Sequence, residues 1–169
     1  MKTNLTLIGM PGSGKSTTGI ILAKILSFGF IDTDVLIQIN NQKSLQQILD
    51  DSDYLNLRRI EEKEILKINI DNHVIATGGS AAYSEKAMHH LSRRSTIVFL
   101  KADYDVIKTR IHNFKTRGIA KAKDQTFKEL YEERQILYNK YAELSFDCNY
   151  LDQEQIAEVI ASQFLDLKI

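Results

Sequence analysis

Residues Gly9 to Thr17 read Gly-Met-Pro-Gly-Ser-Gly-Lys-Ser-Thr. A short apolar stretch, Leu5 to Ile8, leads in, and a helix-forming stretch, Thr18 to Leu26, follows. Strand, glycine-rich loop and helix in that order are the setting of a phosphate-binding P-loop. Gly9, Gly12 and Gly14 let successive N–H groups turn toward one phosphate without Cβ clashes. The helix N-terminus after Gly14 adds partial positive charge, worth about 1–2 kcal/mol to an anion. Lys15 brings a point charge to the β- and γ-phosphates, and the Ser16 hydroxyl suits Mg²⁺. Gly12, Ser13, Gly14, Lys15, Ser16 and Thr17 are therefore candidate contacts to a nucleoside triphosphate.

Apolar β-type runs recur outward from this loop at Leu5–Ile8, Phe30–Asp32, His73–Thr77, Thr96–Leu100 and Phe146–Asn149, with helical patterns between them. Such alternation predicts an α/β domain with a parallel sheet covered on both faces. The helix after the P-loop is apolar nearly all round (Ile20, Ile21, Leu22, Ala23, Ile25, Leu26) and is expected to be buried. The last helix carries Ile156, Val159, Ile160 and Phe164 on one face. No repeat or linker interrupts the 169 residues, which predicts a single domain.

Acidic and basic residues number 22 each. Zero formal charge gives no global field for nucleic acid or an anionic membrane, and neither is expected as a partner. No stretch approaches the ~18 apolar residues of a membrane span, and no signal-type apolar core opens the chain. The single cysteine, Cys148, has no internal partner and is expected to be a buried thiol. A soluble, cytoplasmic protein is the expectation, and a monomer.

Ligands in open α/β sheets gather outside the carboxyl ends of the strands. Phe-Ile-Asp-Thr-Asp places Asp32 at such an end, shaped as a Mg²⁺-water anchor beside the P-loop. Asp34, two residues on, either caps the next helix or accepts the proton of a substrate hydroxyl. At the third strand's end, Thr77, Gly78, Gly79 and Ser80 either form a plain strand–helix turn or let backbone approach a ligand. Arg58 reads first as a solvated helix residue pairing with Glu61 and Glu62. Arg134 falls inside the apolar stripe of a helix, Thr126–Ala142, opened by a Thr126–Glu129 capping box. A guanidinium there needs an anion, either a ligand or an internal carboxylate such as Glu62 or Glu133. The cationic run 113–125, after Arg110, is an ordinary loop or a lid carrying Arg117 over bound phosphates. The histidines have no metal-ligand spacing.

Taken in order, these segments resemble the shikimate kinase family of small P-loop kinases across almost the full chain. GMPGSGKST matches the family's phosphate loop, IDTD its Asp-x-Asp, and LRRIEE its Phe-Arg-x-x-Glu segment. TGGS matches a triple-glycine strand end, RGIA a lid of Arg-Pro-Leu-Leu, and EERQILY a Glu-x-Arg-x-Pro-Leu-Tyr helix. The resemblance implies a P-loop kinase fold with a five-stranded parallel sheet, substrate-binding helices over about 34–70 and a lid over about 113–125. It implies ATP and Mg²⁺ as cofactors, with Ser16 and Asp32 on the metal side. Asp34, Lys15 and Arg117 are the implied catalytic residues. Arg58 and Arg134 are implied to grip a substrate carboxylate, Gly78, Gly79 and Ser80 to line its site, and Arg110 to stack on adenine. The expected reaction is phosphorylation of shikimate on the route to aromatic amino acids. A kinase of another hydroxy acid such as gluconate, or a nucleotide-binding regulatory module, stands as the alternative. The chain departs from the pattern at Leu57, Ser80, Gly118 and Ile136, where the family has an aromatic, a glycine and two prolines.

Overall fold

The computed structural model describes residues 2–114 and 116–167. Five strands, β1 (Asn4–Ile8), β2 (Gly29–Asp32), β3 (His73–Ala76), β4 (Ser95–Lys101) and β5 (Leu144–Asp147), form one parallel sheet in the order β2-β3-β1-β4-β5. β1 lies at the centre, Leu5 standing opposite both Val74 and Thr96. All five of its residues are buried, the continuous apolar run that a doubly covered parallel strand needs. β5, at the edge, alternates between half-buried and exposed residues.

Eight helices cover the sheet: α1 (Lys15–Leu26), α2 (Thr33–Asn41), α3 (Leu45–Asp51), α4 (Tyr54–Leu66), α5 (Glu85–Ser92), α6 (Tyr104–Arg110), α7 (Phe127–Tyr141) and α8 (Gln153–Asp166). A short 3₁₀ turn, Ala81–Tyr83, joins β3 to α5. The capping box predicted for α7 is present, Thr126 Oγ1 accepting from the Glu129 amide while Glu129 accepts from Thr126 N. No helix among the described residues is long and apolar enough to cross a membrane.

Three sequence expectations need correction. β5 runs two residues earlier than Phe146–Asn149, because Asp147 accepts from the Asn149 amide at 2.9 Å and turns the chain out of the sheet. α1 is not buried all round: Ile20 and Ile25 are 56% and 44% exposed. Its covered face is Thr18, Gly19, Leu22 and Ala23, packed on the sheet and on α8, and no described element lies over the remainder. On α8, Ile156, Ile160 and Phe164 are buried but Val159 is 41% exposed. Cys148 is buried as expected, and burial pushes its thiol pKa up to about 12.

Candidate active site

The carboxyl ends of β1, β2 and β3 open into one cleft of about 360 Å³. β1 delivers the P-loop. Gly14 sits there at φ 95°, a left-handed conformation that an L side chain resists. It starts α1 without any side-chain cap, leaving the first-turn amides open to an anion. Lys15 is buried, and its Nζ donates to the carbonyls of Gly9 and Met10 at 2.8 Å each. Burial lowers its pKa to about 8, against the pull of Asp34 and Asp32.

β2 ends in Asp32, which does two jobs. Oδ1 caps α2 by accepting from the amides of Asp34 and Val35, and Oδ2 accepts from Ser16 Oγ at 2.5 Å. The helix cap is thus Asp32, and the capping alternative for Asp34 falls. Ser16 Oγ and Asp32 Oδ2 form a pair of hard oxygen donors that fits a hydrated Mg²⁺. No cluster of three or more His, Cys, Asp or Glu exists among the described residues. That suits a cation completing its shell from water and phosphate.

Asp34 stands in the first turn of α2 and lines the cleft. Burial, then the neighbouring Asp32, raise its pKa to about 6. A second carboxylate faces it. Glu61, on the buried face of α4, is 2% exposed, with a pKa raised to about 7 by burial and then by Asp34. The hydroxyl of Ser80 donates to Glu61 Oε2, while Oε1 has no partner. The diglycine lies between these groups. A Cβ on Gly78 would overlap both Asp34 Oδ1 and Glu61 Oε1, and one on Gly79 would stand 2.6 Å from Arg134 Nη1 and 2.8 Å from Pro11 Cδ. Neither glycine has positive φ. Both are required by space, so the plain-turn alternative falls too.

Arg134 is 1% exposed and lines the cleft. Nη2 donates to the Ala120 carbonyl at 2.8 Å, and Nε has no partner. The internal carboxylates proposed for it are engaged elsewhere: Glu133 accepts from Tyr83 and Gln125, and Glu62 from Ser84. Among the described residues no ion pair involves Arg134, Arg117, Arg110 or Lys15. Four cations share a cleft with two carboxylates of raised pKa and no anion in ion-pair contact.

Arg58 is placed differently. It makes no pair with Glu61 or Glu62, nor does it line the main cleft. Its guanidinium carbon lies 3.4 Å from the ring centroid of Tyr83 and 5.0 Å from that of Tyr54. Arg110 donates to the Cys148 carbonyl at 3.0 Å and reaches the nucleotide end of the cleft.

The segment between α6 and α7 folds over the cleft. Arg117 lines it, Ile119 and Ala120 are buried, and the Gly118 amide donates to Gln46 of α3 at 3.3 Å. Gly118 has φ 70°, which proline, fixed near −65°, cannot adopt. A Cβ there would stand 2.8 Å from the Leu45 carbonyl carbon. Glycine at this departure from the family pattern is a requirement of the turn.

Sequence reading overlooked Glu61 and Tyr83. Glu61 had a usable signal: it falls four residues after Leu57 and four before Ile65, on the buried face of α4. Tyr83 had none, because its neighbours come from α4 and α7.

A family model described as shikimate kinase matches residues 11–165. The shikimate kinase of Caldanaerobacter subterraneus is 32% identical over 168 residues, covering 98% of each chain. That of Rippkaea orientalis is 37% identical over 166 residues, covering 96% of this chain and 86% of its own. The fold matches that of the Acinetobacter baumannii shikimate kinase solved with shikimate, at TM-score 0.91 and 24% identity over 100% and 96% of the two chains. By sequence match over nearly its whole length, the chain belongs to the shikimate kinase family.

Proposed function

We propose that this protein transfers the γ-phosphoryl group of ATP to a ring hydroxyl of shikimate, on the route to aromatic amino acids. The observation that carries the proposal is Arg134: a buried guanidinium with no carboxylate partner, facing the same cleft as Lys15 and Asp34. Burying such a charge costs several kcal/mol unless an anion meets it. A planar guanidinium takes a carboxylate bidentately, which selects an acid as the second substrate. The relative from Acinetobacter baumannii was solved with such an acid, shikimate.

The triphosphate lies along the P-loop, its oxygens meeting the uncapped amides of α1 and the Lys15 ammonium. Bound through Ser16 and Asp32, Mg²⁺ supplies charge neutralisation at the phosphates. Gly78 and Gly79 keep the acceptor close to backbone, with Asp34 beside its hydroxyl. The hydroxyl oxygen forms a bond to γ-phosphorus while the bridging bond to ADP breaks. The hydroxyl proton passes to an Asp34 carboxylate oxygen. Lys15 and Arg117 face the charge that spreads over the transferring group, and positioning with neutralisation supplies most of the rate in such a loose transition state. Residues 34–70 serve as the acceptor-side helices, 113–125 as the lid, and Arg110 as the platform for adenine.

ADP release measured with shikimate, quinate, gluconate and nucleoside monophosphates tests the assignment. Shikimate is expected to give the highest kcat/KM. Preference for gluconate or a nucleoside monophosphate contradicts it, and so does ATP binding with no acceptor-stimulated turnover.

A further inference from the structure

Tyr83 occupies a position that no described motif explains. It ends the short 3₁₀ turn after Ser80, half-buried between α4 and α7. The Arg58 guanidinium carbon lies 3.4 Å from its centroid, that of Arg134 lies 5.7 Å away, and the Tyr83 hydroxyl donates to Glu133. Gln125, at the end of the lid segment, donates to the other oxygen of Glu133 at 2.9 Å. One ring therefore touches two cations and, through Glu133, the lid.

Two guanidinium groups brought together without an anion repel each other. An aromatic face lowers that cost through its quadrupole, by about 0.5–2 kcal/mol per contact. Stacking uses the flat face of a guanidinium and leaves its in-plane N–H donors free. Arg58 Nε and Arg134 Nε are both buried without partners. A cavity of about 320 Å³ beside Arg58 and Tyr83 meets the main cleft at Ser80, which lines both.

We infer that Tyr83 is the positioning residue of the acid-binding arginine pair, holding Arg58 by its ring beside Arg134 so that one substrate carboxylate engages both. The inference rests on the acid-phosphorylating reading above. It adds a specificity element, since a neutral polyol has nothing to offer a pre-assembled pair of cations. Tyr83 itself touches no reacting atom.

The test compares Tyr83→Leu and Tyr83→Phe with the unsubstituted enzyme, reading KM for the acid, KM for ATP and kcat separately. Leu is expected to raise the acid's KM about tenfold, from the lost ring contacts. ATP's KM should hold, and Phe should restore the acid's KM. A merely structural role would move both KM values together. An unchanged or lowered KM for the acid with Leu overturns the inference, because the ring would then be idle or would sequester Arg58. Impairment by Phe equal to that by Leu also overturns it, since the hydroxyl rather than the ring would matter. If Tyr83→Leu does not fold, the Arg58 Nε–H resonance of the unsubstituted enzyme decides: an upfield ring-current shift supports the stack, and an unshifted signal refutes it. Failure of shikimate turnover sinks the functional reading instead, while the resonance still tests Tyr83.

Discussion

Asp34 Oδ1 and Glu61 Oε1 converge on the α-carbon of Gly78, so closely that a methyl group there would overlap both. This packing makes Gly78 a spacer between two carboxylates at the reacting end of the cleft. Gly78→Ala must push one of them away. Overpacking of this kind costs about 1–3 kcal/mol of stability. A displacement of about 1 Å at a reacting group costs about 100-fold in rate. We predict a kcat loss of that order with ATP affinity retained, measured by steady-state kinetics and nucleotide titration. Unchanged kcat would show that Asp34 and Glu61 can part without consequence.

The same two groups set a pH dependence. Burial raises Asp34 to about 6 and Glu61 to about 7. The folded state therefore holds protons that the unfolded chain releases near pH 4. The resulting stability is fully present below the unfolded values and is lost as pH rises through about 6 to 7. Glu61→Gln removes the Glu61 share. Its Tm without ligand should exceed the parent's at pH 8 and approach it at pH 5, a gap of a few degrees by differential scanning calorimetry. Turnover runs the other way, since Asp34 must be unprotonated to take the hydroxyl proton: kcat should rise with pH through about 6.

Lid geometry gives a third test. Gly118 at φ 70° packs on Leu45 and Gln46. Gly118→Pro cannot keep that turn and removes the amide that donates to Gln46. The lid should then open, exposing the bond after Arg117 to trypsin and lowering kcat/KM about tenfold through loss of water exclusion. Wild-type trypsin resistance in the variant would refute the docking of this loop on α3.

Asp32 offers a fourth, because its two roles separate by substitution. Asp32→Asn keeps a good helix cap, so Tm should stay within about 2 °C, a few tenths of a kcal/mol. The negative charge near Ser16 is lost, and half-saturation of activity by Mg²⁺ should need about tenfold more of the cation. An unaltered Mg²⁺ requirement would confine Asp32 to capping.

The sheet, the P-loop and the Asp32–Asp34 pair were legible in sequence because each depends on local spacing: strand, turn and helix follow one another within a few residues. Arg134 was legible as an anomaly, a charge within an apolar stripe. Whether an internal acid neutralised it depended on where Glu62 and Glu133 point, which Ser84 and Tyr83 decide from distant turns. Gly118 looked like a loss of the family proline, yet its positive φ is the reason for it. The exposed side of α1 and the early end of β5 escaped because neighbours, not composition, set burial and strand ends.

Arg134 carries the central claim, that a buried cation is reserved for the acceptor's carboxylate. The most direct measurement is kcat/KM for shikimate and for its carboxamide analogue, with the wild type and with Arg134→Ala. In the wild type, loss of the carboxylate should cost about 30-fold or more, from the 2–5 kcal/mol typical of a desolvated charge pair. In Arg134→Ala the two acceptors should differ little. An equal carboxylate preference in both proteins would show that Arg134 does not meet the acid, and the account would fail with it.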